Sequence, residues 1–158
     1  GSNFLIQRSV HSARDFEISS GLFRNSPWDE FSKTLISTRK SILDFCEQRV
    51  FNGIVGYGTS DGATTLIYQL GVGSYLKALI DDDPYRQNLE SPGFGIPTVS
   101  RDEIFTDLPA ASTCLILAPQ YAKQIFDKNP KAQKLGVKFA TTWPLVKELT
   151  NSEPQQLG

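Results

Sequence analysis

Two glycines around a tyrosine, Gly56-Tyr57-Gly58, close a short apolar run (Ile54-Val55) and stand just ahead of a segment with helical spacing. This feature restricts the fold most, because a strand that passes into a helix through a glycine turn is the opening unit of a parallel α/β sheet. Behind Ser60, the residues Ala63, Leu66, Ile67 and Leu70 share a helical face, and Gly71-Val72-Gly73 supplies the stop. Leu76 to Ile80 reads as a second strand and ends in Asp81-Asp82-Asp83-Pro84. Cys114 to Ala118 is a third, and its unbroken apolar character suits a strand covered on both faces. Val137 to Thr142 is a fourth. Alternation of strands and helices implies right-handed crossovers. The expected fold is therefore a Rossmann-like, three-layer α/β domain with a mostly parallel sheet of about four to five strands.

Binding sites in such sheets lie at the carboxyl ends of the strands. Those ends are the Gly58 turn, Asp81 to Asp83, and Ala118-Pro119, and they are expected to converge. Elsewhere, Phe4 to Val10 reads as a short strand and His11 to Asn25 as a polar connector. A helix capped by Ser26, with Pro27 at its start and Asp29 and Glu30 in its first turn, is expected to run to about Arg49. Phe31, Leu35, Ile42, Phe45 and Cys46 mark its apolar face. Tyr85 to Glu90 suggests one helical turn, and Pro119 to Asp127 a helix. Ser100 with Glu103 forms a capping box for a further short helix.

Gly1-Ser2 is expected to be the remnant of an expression tag, 3–150 the domain, and 151–158 a flexible tail. With no methionine anywhere, the chain reads as a fragment of a larger protein.

A net charge of −1 with scattered Lys and Arg provides no field to gather nucleic acid or anionic lipid. No apolar stretch approaches the roughly 20 residues needed to cross a bilayer. The cysteines, Cys46 and Cys114, lie in apolar segments and read as buried thiols, which suggests a reducing compartment and a cytoplasmic location. His11, the only histidine, lies near an end of the chain, and no Ser-His-Asp or Cys-His arrangement can be assembled around it, so it reads as solvated. Trp28 and Trp143 read as packing residues. Ligand spacing for a metal is absent, Asp81-Asp82-Asp83 lacking the alternation of a calcium loop.

The turn spaces its glycines as G-x-G-x-x-x-G, and Asp61 occupies the place where a dinucleotide fingerprint has glycine. A glycine turn at a helix start still offers backbone N–H groups to an anion, and Asp81 lies about 20 residues on, where a ribose hydroxyl would find an acceptor. A tight turn kept for packing, with acids solvating a strand end, is the competing reading of the same residues.

The stretches GYGTSDGATTLIYQLGV (56–72) and LIDDDPYRQNLESPGFGIP (79–97) resemble the C-terminal domain of the sugar C-methyltransferase family, enzymes acting on nucleotide-linked deoxysugars. The similarity extends back to about Ser32 and on to Pro144. The resemblance implies a domain that binds no S-adenosylmethionine itself and has no catalytic residue. It would follow a zinc-binding region and an S-adenosylmethionine-binding domain in the parent chain, close over the latter and help to hold a nucleotide-sugar substrate. On this reading Gly56, Tyr57, Gly58, Thr59, Ser60 and Thr64 line the substrate pocket, while Asp81 and Asp83 accept from sugar hydroxyls. Departures from the family pattern fall at Gly62, where a basic residue is frequent, at Asp83 for asparagine, and at Gly95 for histidine. Two other readings use the same turn: a free-standing nucleotide- or dinucleotide-binding module, and a structural domain whose acidic rim of Asp61 and Asp81 to Asp83 docks a partner.

Overall fold

The computed structural model describes the backbone of residues 2–21 and 25–151 and the side chains of 11–21 and 27–151. Gly1 and most of the expected tail, 152–158, lie outside the described residues. The chain divides into two units, Gly1–Ile36 and Ser37–Gly158.

The first unit holds helix α1 (Ser2–Ser19) and the start of helix α2 (Asn25–Glu47). The strand expected at Phe4 to Val10 and the connector expected after it are corrected, as far as Ser19, to one helix, while 22–24 of that connector lie outside the described residues. Neither Gly nor Pro interrupts residues 2–20, and Gln7, Arg8, Ala13, Arg14 and Glu17 favour helix. Helix α2 begins two residues ahead of Pro27, which takes Asp29 and Glu30 out of its first turn. Trp28 is 64% exposed, which corrects its reading as a packing residue, and Phe31 is partly exposed at 48%. His11 is exposed, as read.

In the second unit α2 buries Thr38, Ile42 and Cys46, one helical face displaced towards its C-terminal half. The sheet follows: β1 (Ile54–Tyr57), β2 (Leu76–Ile80), β3 (Thr98–Val99), β4 (Thr113–Ile116), β5 (Lys138–Thr141) and β6 (Lys147–Glu148), in spatial order β3-β2-β1-β4-β5-β6. All neighbours are parallel except β5 and β6. The fold is the expected α/β one. Its two additional strands are two-residue edges, too short to leave a periodic trace in sequence.

Helix α3 (Asp61–Leu70) connects β1 to β2, α4 (Arg101–Asp107) leads from β3 to β4, and α5 (Ala122–Asp127) and α6 (Pro130–Lys134) precede β5. Residues 84–88 form turns rather than the expected helical turn, and Pro119–Tyr121 is a single 3-10 turn ahead of α5. Side chains alternate across the sheet. Val55, Tyr57, Ala78, Ile80, Cys114, Ile116 and Phe139 meet Phe105, Ile125, Phe126 and Ala132 of α4 to α6. The opposite face takes the buried Ala63, Ile67 and Leu70 of α3.

Gly56 is required there, since a Cβ would stand 2.7 Å from Leu117 Cδ1 and 2.8 Å from Leu79 Cδ2. Cys46 and Cys114 are buried and unbonded to each other. Burial pushes the Cys46 thiol up to about 12, and that of Cys114 upward as well, so neither is a ready nucleophile. Among the described residues no helix is long and apolar enough to cross a membrane.

Candidate functional site

Because β1 leads leftward to β2 and β3 while β4 leads rightward to β5, the strand order reverses between β1 and β4. The connections leaving the carboxyl ends run apart at such a point and leave a crevice. Here a cleft of about 390 Å³ is lined by Tyr57 to Ser60 after β1, Asp81, Asp82 and Arg86 after β2, and Ala118, Tyr121 and Lys128 after β4. The three ends that the sequence suggested would converge do so.

Gly58 makes the turn: its φ of 113° lies where side-chain-bearing residues are strained, and its N–H donates to Ile80 O at 2.8 Å. Ser60 then caps α3, its Oγ accepting from Ala63 N–H at 3.3 Å. Thr59 Oγ1 donates to Asp81 Oδ2. Asp81 organises the loop that follows. Its Oδ1 accepts from Asp83 N–H at 2.9 Å, its carbonyl from Gln87 Nε2 at 3.0 Å, and Arg86 stands 3.7 Å from its Oδ2.

Of the residues expected to form a pocket, Tyr57, Gly58, Thr59, Ser60 and Asp81 line the cleft together. Gly56 sits behind it in β1 as a packing residue. Asp83 is engaged by Tyr85 N–H at 3.0 Å and by Arg86 at 3.7 Å. Thr64 faces a second cleft of about 370 Å³, shared with Asp61 and Ser91, and Thr59 and Arg86 stand in the wall between the two. The Pro92-Gly93 loop bounds that second cleft. It is held by Tyr68, whose hydroxyl donates to Pro92 O at 3.0 Å and whose ring lies 4.9 Å from that of Phe94.

The sequence tied neither cation to the turn. Arg86 had a signal in its closeness to Asp81 and Asp83; Lys128 had none. Lys128 Nζ donates to Asp82 Oδ2, Tyr57 Oη donates to Asp82 Oδ1 at 2.8 Å, and the ammonium lies 5.0 Å from the Tyr57 ring centroid. Burial works to raise the Asp82 carboxyl, but the Lys128 ammonium and the Tyr57 hydroxyl outweigh it and hold the group below its ordinary value. Burial and the neighbouring carboxylate raise Tyr57. Burial works to lower Lys128, and its bonds to Asp82 and Tyr57 more than offset this and raise it.

These directions set a pH dependence. A depressed carboxyl stabilises above its unfolded value, about 4, and loses that contribution as pH falls. Raised Lys128 and Tyr57 stabilise below their unfolded values, about 10, and lose that contribution as pH rises. The Lys128 and Asp82 side chains are 39% and 44% exposed, so solvent limits the pair to under about 1 kcal/mol. Asp82→Asn is accordingly expected to lower stability by a small, constant amount between about pH 5 and 9, with the difference from wild type shrinking at both extremes. Urea titrations across pH check this, and a difference that varies near neutrality contradicts it.

Among the described residues, no three or more His, Cys, Asp or Glu are grouped to hold a metal. No curated protein matches this sequence. Among solved structures, the chain is similar to UDP-D-quinovosamine 4-dehydrogenase from Vibrio fischeri at 19% identity, over 63% of this chain and 94% of that one, with a TM-score of 0.46. Residues 3–144 match the family described as the C-methyltransferase C-terminal domain, and the chain belongs to that family.

Proposed function

We propose that this domain holds the acceptor substrate of a C-methyltransferase, a nucleotide-linked sugar, in the cleft at the ends of β1, β2 and β4. The observation that carries the reading is the gathering, at the point where strand order reverses, of Thr59, Ser60 and Asp81 with the cations Arg86 and Lys128. Hydroxyls and a carboxylate suit a sugar, and cations suit the phosphates that carry it.

On this reading the methyl group comes from S-adenosylmethionine bound, like zinc, by the preceding part of the parent chain. The present residues bind and orient. Ser60 Oγ accepts from the helix and keeps its proton to donate outward. Asp81 keeps lone pairs beyond its bonds to Asp83 and Thr59, and these accept from sugar hydroxyls.

The test is calorimetry of the full-length parent protein with nucleotide-sugars. Combining Thr59→Val, Ser60→Ala and Asp81→Asn is expected to weaken binding about tenfold or more. Unchanged affinity in a variant that melts normally removes the assignment. Comparable binding of NAD or coenzyme A by the domain alone would instead favour a free-standing nucleotide-binding module.

A further inference from the structure

A third cleft, of about 520 Å³, opens between α4 and the segment joining α5 to α6. Its lining combines two chemistries. Arg101, Lys128 and Lys131 line it beside one acid, Asp102, and the Lys128 ammonium is bonded to Asp82 as well. Phe105 and Ala132, both buried, give an apolar floor, and Leu135 is 54% exposed beside them.

Arg101 and Lys131 are poorly neutralised. Arg101 meets Asp102 at 3.4 Å, but that carboxylate is 90% exposed and water competes for it. Lys131 makes no ion pair among the described residues. Cations beside an apolar floor are complementary to an anion with an apolar body.

We propose that this cleft binds a phosphate monoester carried on an aromatic or aliphatic group, at a place distinct from the substrate cleft, with which it shares Lys128 alone. Arg101 and Lys131 beside the shared Lys128 favour a phosphate over a carboxylate, since the ester carries close to two charges at neutral pH and three acceptor oxygens. The apolar floor separates such an ester from free phosphate.

Phenyl phosphate is the probe, titrated calorimetrically into the protein beside phenol and inorganic phosphate. Phenyl phosphate is expected to bind more tightly than either, and less tightly as salt rises. Combining Arg101→Glu with Lys131→Glu is expected to weaken it about tenfold or more, and Arg101→Gln with Lys131→Gln serves if the first pair disturbs folding. Lys40→Glu, the same charge change on exposed α2 surface, is expected to leave affinity unchanged. So is Thr59→Val in the substrate cleft. Absence of binding, equal binding by inorganic phosphate, or insensitivity to the Arg101 and Lys131 changes overturns the proposal. Loss of binding in Thr59→Val also overturns it, by placing the ester in the substrate cleft, whereas sugar-nucleotide binding can fail with this cleft intact.

Discussion

Phe139→Ala is expected to destabilise the domain by about 3–5 kcal/mol. Phe139 is 1% exposed on β5, and its ring stands edge-on to Phe105 of α4 and Phe126 of α5, each 5.8 Å away between centroids. Truncation removes the transfer energy of a full aromatic ring and two edge-to-face contacts, one to each helix. The hole cannot collapse readily, because β4 and β6 fix β5 on both sides. Total stability for a domain of this kind is about 5–15 kcal/mol, so one substitution consumes a large part of it. Urea unfolding with an unchanged slope and a lowered midpoint is the expected record. A loss below about 1 kcal/mol would show that the α4 and α5 layer is not packed as described. Phe139→Leu, which keeps most of the volume, is expected to cost much less.

The second large effect comes from adding atoms. Gly56→Ala is expected to cost about 1–3 kcal/mol, because the new methyl would lie under 3 Å from two leucine side chains that are themselves buried. Relief has to come from Leu79 and Leu117, which flank β1 on β2 and just beyond β4. Leu117→Ala should therefore harm the Gly56→Ala protein less than it harms wild type, a coupling that a double-mutant cycle measures in stability. Strictly additive effects would mean that the glycine serves some other purpose.

That distinction bears on how much of the molecule can be read from its residues. Strands β1, β2 and β4 were legible because each is a mainly apolar segment next to a turn signal, and β5 by Phe139 and Ala140 just after Gly136. Helix α3 was legible because Ser60 and Gly71 bound it, and the structure shows both as caps. Strands β3 and β6 were not, since two residues have no period. Residues 2–19 misled because Phe4-Leu5-Ile6 resembles a strand start when the helix-favouring residues after it are ignored. In the site, the glycine turn and the acidic strand end were visible as local patterns, whereas the link from Tyr57 through Asp82 to Lys128 was not. Asp82 and Lys128 lie 46 residues apart, and only the crossover through α4 and β4 brings them together. Reading the acids alone suggested an acidic rim; the structure pairs Asp81 and Asp83 with Arg86, and Asp82 with Lys128.

The strand order carries a consequence for the newly made chain. β1 is completed on one side by β2 and on the other by β4, where Ile54 meets Thr113. Until the ribosome has released β4, one flank of β1 has no hydrogen-bonding neighbour and its apolar side chains have no cover on that side. Such an open flank readily recruits strands from other molecules. Synthesis that stalls between the two strands would therefore leave a species inclined to clump, and truncations just short of Thr113 should be found in inclusion bodies rather than in solution.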